Sequence, residues 1–502
     1  MTKSDCKSSL SMVFFLQKGG GDTMDDVKLL GREEECRRLN HALRKKEAQL
    51  IVVYGRRRVG KTYLINAFFQ KRFDFKLTGE YNAPKESQLE NFTLELNRRT
   101  RRSNVIPNSW KEAFNHLRDY LEQLPSDEKH VVFLDEMPWM DTPGSDFLPA
   151  FEYFWNSYGN ACDDLVFIVC GSATSWMTDH IDRNKGGLFS RKTCSLHLKP
   201  FTLGETEAFL QAAGINWSRY DIAMCYMIMG GIPYYLGFLD SELPLSSNID
   251  MLFFSKGAEL AEEFDNLFRT LFTHSDQYIR IVEELSKRRY GLGKKELAER
   301  TGLSYNGEFT KKLNRLVESG FVQSISYYHQ KSRETRYQLS DYFSMFYFRF
   351  VREHYGVDES YWTHTYDNPS QNAWAGLTFE QLCRDHLLQI KQRLGISGVL
   401  TELSTWWAMG TDRDQNNAGA QIDMVLDRRD HVISLCEAKY SPNLFEIDKA
   451  YELTLRNKIE SFRSATGTTK SLQLVMITTF GVKNNKYSNL IQSQVQLDDL
   501  FD

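Results

Sequence analysis

Three short apolar runs punctuate the N-terminal part of the chain: Leu50-Ile-Val-Val-Tyr54, His130-Val-Val-Phe-Leu134 and Leu165-Val-Phe-Ile-Val-Cys170. Charged or turn residues bound each run, and stretches with helical spacing separate them. Continuous apolar strands alternating with helices predict a parallel sheet covered on both faces. From Pro200 to about Thr273 the pattern becomes mostly helical, as in a small lid. Lys294 to Ser304 then reads as a helix, a glycine-containing turn and the start of another helix. Lys311 to Gly320 follows, with leucine and valine on one face. Two strand-like runs, Phe321 to Tyr327 and Thr335 to Leu339, come next. The last unit begins near Trp374, with a helix opened by Gly376-Leu-Thr-Phe-Glu380. Its strands Gln421 to Leu426 and Ser434 to Lys439 are joined by an Asp427-Arg-Arg-Asp430 turn.

At 502 residues the chain calls for more than one domain. The pattern divides it into a disordered leader (1–26), a sheet-bearing core (27–199), the helical lid (200–273), a helix-and-strand module (274–345) and a C-terminal α/β domain (365–502). Hydrophobic residues at 41% and charged residues at 25% are globular proportions, so each part can bury a core. The formal charge of -4 excludes a strongly basic footprint overall, so any DNA contact has to come from a local patch. The eight cysteines are scattered without a C-x-x-C pair, which argues for a reducing compartment and a cytoplasmic protein. No apolar run is long enough to span a bilayer, and Met12 to Leu16 is too short for a signal peptide, so no membrane partner is expected. Met24, just before the first motif, is an alternative start.

The most specific motif is Gly55-Arg-Arg-Arg-Val-Gly-Lys-Thr62, placed after a strand and before an apolar helix. Gly55 and Gly60 let backbone N–H groups turn inward around phosphate oxygens. Lys61 supplies a charge to the outer phosphates and Thr62 a hydroxyl for Mg²⁺. ATP and Mg²⁺ are therefore the expected ligands. The run Val131 to Glu136 delivers Asp135 to the end of a strand, where it can hold Mg²⁺, and Glu136 can polarise the attacking water. Ser172 ends the next strand as either a γ-phosphate sensor or a helix N-cap. Arg191 is either an arginine finger, acting in cis or across a subunit contact, or solvated surface.

Leu29-Leu-Gly-Arg-Glu-Glu-Glu35 resembles the box that opens STAND-type and archaeal-type AAA+ ATPases, and Gly230-Gly-Ile-Pro-Tyr-Tyr-Leu236 resembles the lid motif of the same group. The resemblance covers roughly residues 27–270. It implies that Arg32 and Pro233 flank the nucleotide, in an AAA+ sheet with a helical lid.

In 274–345 the order of elements is that of a winged helix-turn-helix. Its basic residues Lys294, Lys295, Arg300, Lys311, Lys312, Arg315, Lys331, Arg333 and Arg336 could contact DNA phosphates, or the module could serve only for packing and coupling. In the last domain, Asp423 and Glu437 are spaced for a hairpin that brings two carboxylates together. Lys439 shares the Glu437 face because their spacing is two. Such a set can hold Mg²⁺ and activate water against a phosphodiester.

This set resembles the PD-(D/E)xK nuclease superfamily, and the whole chain is similar to archaeal-type ATPases carrying such a C-terminal domain. The resemblance implies that Glu380 is the helical acidic residue, that Asp423 and Glu437 are metal ligands, and that Lys439 is the active-site lysine. Ile422 stands where the family name has proline. The expected architecture is thus α/β: a P-loop AAA+ parallel sheet with a lid, a winged helix, and a restriction-endonuclease-like domain. The expected activity is ATP hydrolysis coupled to a DNA-acting effector in a homo-oligomer. A nucleotide-dependent switch and a transcription regulator, each with a C-terminal domain that binds without cutting, are the alternatives.

Overall fold

The structure is a computed structural model that describes residues 17–18, 27–125, 128–182, 191–328, 335–408 and 420–502. Apart from Gln17 and Lys18, which pair antiparallel with Val27 and Lys28, the expected leader lies outside the described residues. So do Lys331 and Arg333 of the basic module. The chain forms two compact units: residues up to Pro200 together with Ile232–Gly237, and Phe201–Gly231 together with Phe238–Asp502.

The first unit is built on five parallel strands: β1 (Gln49–Tyr54), β2 (Phe75–Thr78), β3 (His130–Asp135), β4 (Leu165–Gly171) and β5 (Cys194–His197). Their spatial order is β2-β3-β4-β1-β5. Apart from half-buried Tyr54, every residue of β1, β3 and β4 is buried, as the unbroken apolar runs require. Helix α1 (Glu33–Leu43) precedes the first strand, and α2 (Lys61–Phe68), α3 (Lys85–Thr100), α4 (Trp110–Leu121) and α5 (Phe147–Ser157) lie in the connections between strands. One face of the sheet packs against an aromatic core in which Trp110 meets Phe147 edge-on at 4.8 Å. The ends of β1, β3 and β4 open on the same edge of the sheet, where ligands bind in open α/β folds.

In the second unit, the helix Arg219–Met229 is buried on most of its surface, an all-round apolar pattern that needs cover from more than one side. Tyr226 on it meets Tyr342 and His386 edge-on, at 5.4 and 5.5 Å. The segments 201–231 and 238–273 therefore group with the C-terminal half of the chain. Residues 275–339 form helices α6 (Ser275–Ser286), α7 (Lys294–Thr301) and α8 (Gly307–Glu318) with strands β6 (Leu292–Gly293), β7 (Val322–Ile325) and β8 (Arg336–Leu339). The three strands make an antiparallel sheet in the order β6-β8-β7.

The C-terminal part opens on helix α9 (Pro369–Asp385), capped by the Asn368 side chain. The helix starts well before Gly376, where the sequence reading had put its opening, because Asn368 and Pro369 form a cap and first turn that the reading passed over. A five-stranded mixed sheet follows: β9 (Thr401–Ala408), β10 (Ala420–Arg428), β11 (Val432–Lys439), β12 (Ser471–Thr478) and β13 (Ser493–Gln496), in chain order. β9 to β11 are antiparallel and β11 to β13 parallel. Helix α10 (Lys449–Thr466) makes the crossover that a parallel β11–β12 pair demands.

Candidate functional site

Between β1 and α2 the chain must turn sharply, and the glycines are where it does. A Cβ on Gly55 would sit 2.2 Å from the Leu198 carbonyl oxygen, and Gly60 caps α2 at φ 90°. Lys61 is buried and donates to the carbonyls of Gly55 at 3.0 Å and Arg56 at 2.9 Å. Its ammonium thus rests on loop carbonyls that a phosphate would outcompete. Thr62 donates from its hydroxyl to Asp135 Oδ1 at 3.1 Å, so the two oxygens expected around Mg²⁺ already touch. Burial, then the Glu136 charge, pushes the Asp135 carboxyl up, and the Thr62 hydrogen bond partly offsets this. A divalent cation beside a buried carboxylate and a hydroxyl would remove that penalty, so the donor set fits Mg²⁺.

Glu136 follows in the left-handed region at φ 47°, between Gly79 and Gly171. A Cβ on Gly79 would meet the Glu136 carbonyl at 2.6 Å, and one on Gly171 would meet Pro138 at 2.7 Å. The Glu136 carboxylate accepts from Ser172 twice, from the backbone N–H at 3.0 Å and the hydroxyl at 2.8 Å. Ser172 is therefore not a helix cap; that position is held by Ala173. Arg32 is buried and donates to the Val59 and Lys199 carbonyls, bracing the loop from behind. Pro233 starts a single helical turn in which Tyr234 lies under the Arg58 guanidinium, 3.8 Å from the ring centroid. Arg191 is exposed, next to residues outside the description.

The second cluster of candidate residues lies in the mixed sheet. Continuing the Met424–Cys436 register by one residue sets Asp423 opposite Glu437 across β10 and β11. Asp423 Oδ2 accepts from the Ala438 N–H at 3.1 Å and Oδ1 from Gln421 at 3.4 Å. Glu437 is 1% exposed, and its Oε2 receives Lys458 of α10 at 2.6 Å. Lys439 lies on the same strand face, 5.4 Å from the Tyr451 ring of that helix. Glu380 accepts from Arg289 at 2.8 Å. Burial, and then the Asp423 charge, pushes both Glu380 and Glu437 up to about 7. The Asp423 charge thus acts on both Glu380 and Glu437, yet no group of three acidic, His or Cys side chains poised to hold a metal occurs among the described residues. Two carboxylates and a lysine fit a divalent cation in kind, but Lys458 and Arg289 supply the counter-charge instead.

Lys458, Arg289, Tyr234 and the grip of Ser172 on Glu136 were not foreseen. Tyr234 lay inside the lid motif. Lys458 sits seven positions after Tyr451 on one helix face, a spacing visible once α10 is known. Nothing in the sequence marks Arg289 as the partner of Glu380. In the basic module, Arg300 and Arg336 pair with Glu296, while Lys294 and Lys312 are half-buried and Lys295, Lys311 and Arg315 are exposed.

Residues 29–239 match a family model described as an ATPase domain predominantly from Archaea, and residues 347–450 match one for archaeal and bacterial proteins of unknown function. The sheet-bearing segment is thus similar to archaeal P-loop ATPases. The uncharacterized protein MJECL04 of Methanocaldococcus jannaschii is 25% identical over 386 residues, 76% of this chain and 82% of that one. An uncharacterized ATP-binding protein of the same organism, MJ0423, is 44% identical over 46 residues, 9% of this chain and 78% of that one. Among solved structures, a Walker-type ATPase of Pyrococcus abyssi aligns with TM-score 0.45 and 19% identity over 63% of this chain and 95% of its own. The ORC2 protein of Aeropyrum pernix aligns with TM-score 0.38 and 15% identity over 68% and 95%. Among the described residues no helix is long and apolar enough to cross a membrane.

Proposed function

We propose that the chain is a Mg-ATP-hydrolysing ATPase whose second unit carries a winged helix and a nuclease-like carboxylate site acting on DNA. The observation that carries the ATPase reading is the contact of Thr62 with Asp135 directly beneath the glycine loop. In this reading Lys61 leaves the Gly55 and Arg56 carbonyls for the β- and γ-phosphates, and the loop N–H groups cradle them. Thr62 and Asp135 hold Mg²⁺, which when bound neutralises the charge on the phosphate oxygens. Glu136, released by Ser172, orients the attacking water. Arg32 keeps the loop in shape, Pro233 places Tyr234 against Arg58, and Arg191 reaches the nucleotide of a neighbouring copy in a homo-oligomer.

The three helices and antiparallel sheet of 275–339 follow the order of a winged helix, which supports DNA contact through Lys295, Lys311 and Arg315. Asp423, Glu437, Lys439 and Glu380 then form the site for phosphodiester cleavage. The test is Mg-dependent phosphate release and plasmid cutting by the full chain. Asp135→Asn should abolish the first and Asp423→Ala the second. Loss of neither would sink the proposal. A second reading, a switch whose C-terminal domain binds without cutting, is favoured by the Lys458–Glu437 and Arg289–Glu380 pairs, which already neutralise the carboxylates. It predicts ATP hydrolysis by wild type with no cutting by any variant.

A further inference from the structure

The second unit contains a cavity of about 670 Å³, walled by the end of α6, the helical segment around Phe348 and α9. This volume falls in the range of about 300–1,000 Å³ usual for small-molecule sites. Its lining is strongly basic for a chain of net charge -4: Lys287, Arg288, Arg289, Arg349, Arg352 and Arg384 face three glutamates. Some of this charge is balanced locally, since Arg352 and Lys287 pair with Glu283 at 3.0 and 3.1 Å, and Arg288 with Glu284 at 3.4 Å. Arg349 and Arg384 differ. Arg349 donates to the neutral Ser370 hydroxyl at 2.7 Å, and Arg384 to the neutral Gln381 side chain at 3.3 and 3.4 Å. Two guanidinium forks from separate helices thus enter one cavity with their hydrogen bonds going to neutral side chains.

The apolar lining adds a second, independent observation. Trp374 is 6% exposed, and its indole Nε1 makes no hydrogen bond. A buried N–H donor without an acceptor costs about 1–3 kcal/mol, so a built site with an acceptor to offer is the natural remedy. Elsewhere in the lining Phe348 lies under the Arg352 guanidinium at 5.7 Å, and Leu377 is 39% exposed. Forked cations, an aromatic face and a lone N–H donor are the complement of a phosphate joined to a planar base.

We propose that this cavity binds a phosphorylated nucleoside, free or as the end of a single strand, with Arg349 and Arg384 on the phosphate and Phe348 and Trp374 at the base. The site is separate from the glycine loop and from the exposed lysines of 275–339, and it stands whether or not the carboxylate set cleaves DNA.

The test uses the full chain carrying Lys61→Ala, so that the glycine loop does not take the probe. A 3′-labelled, 5′-phosphorylated decathymidylate is titrated by fluorescence anisotropy, and dTMP is added as competitor. Arg384→Glu and Arg349→Glu should each weaken binding at least about tenfold, with a shallower salt dependence because a phosphate contact is lost. Trp374→Phe keeps the packing, removes the N–H and should cost roughly three- to tenfold. Lys111→Glu, an exposed lysine of α4 outside every site described, should leave binding unchanged. Displacement by dTMP would identify a free nucleotide as the ligand, and binding that needs the oligomer would identify a strand end. Binding that is absent, or that is as tight in both arginine variants as in the parent while their thermal unfolding matches it, would overturn the proposal. Because Arg349 is exposed, its variant serves if Arg384→Glu fails to fold.

Discussion

The glycine loop and the carboxylate cluster solve opposite electrostatic problems. The loop is a preformed hollow for anions, and its lysine rests on its own backbone carbonyls until a phosphate arrives. The cluster is a set of buried carboxylates already matched by Lys458 and Arg289 from elsewhere in the fold. One site is open to its ligand by construction. In the other, a cation has to displace internal counter-charges before any metal chemistry begins, which makes the C-terminal site costly to engage and dependent on its neighbours.

That contrast can be broken at either site. The largest effect belongs to Glu136→Gln, which removes the base while keeping the Ser172 contacts. Phosphate release should fall about 10²–10⁴-fold with ATP affinity kept. Next is Lys458→Met, which leaves the Glu437 charge buried and unpaired. Chemical denaturation should show a loss of about 3–5 kcal/mol, partly restored by millimolar Mg²⁺ if the carboxylates then accept the ion.

His386 gives a pH-dependent effect of the same order. It is buried, with Nε2 accepting the Leu203 N–H at 3.0 Å and Nδ1 donating to the Leu382 carbonyl at 2.9 Å. Burial pulls its pKa from 6.5 down to about 4. The unfolded chain therefore binds a proton that the folded one refuses. Stability is full above pH 6.5 and falls by about 3 kcal/mol as pH drops to 4. Urea titrations at both pH values check this, and His386→Gln should flatten the slope. The smallest effect is Tyr234→Leu, which removes the ring under Arg58. It should cost about 0.5–2 kcal/mol of stability or a few-fold in ATP affinity.

The same contrast explains what was legible in the sequence. The glycine loop is contiguous, so Gly55, Lys61 and Thr62 announce their geometry directly, and Asp135 follows because an apolar strand must end somewhere. β10 and β11 were legible through their apolar runs and the Asp427–Asp430 turn between them, which is why the spacing of Asp423 and Glu437 suited a hairpin. The counter-charges of Glu437 and Glu380 come from far along the chain. Lys458 sits on a crossover helix and Arg289 beyond the end of α6, and long-range ion pairs leave no local pattern. The start of α9 was missed for a different reason: its first turns are polar and their apolar spacing is weak, so only the Asn368–Pro369 cap marks them.

The most direct test of the central claim is phosphate release from Mg-ATP by the full chain, compared with Lys61→Ala. The account predicts turnover by wild type and a loss of at least about 100-fold in the variant, because the loop loses the ammonium that the account places on the outer phosphates. Equal rates in the two proteins, or no nucleotide binding by wild type, would contradict it.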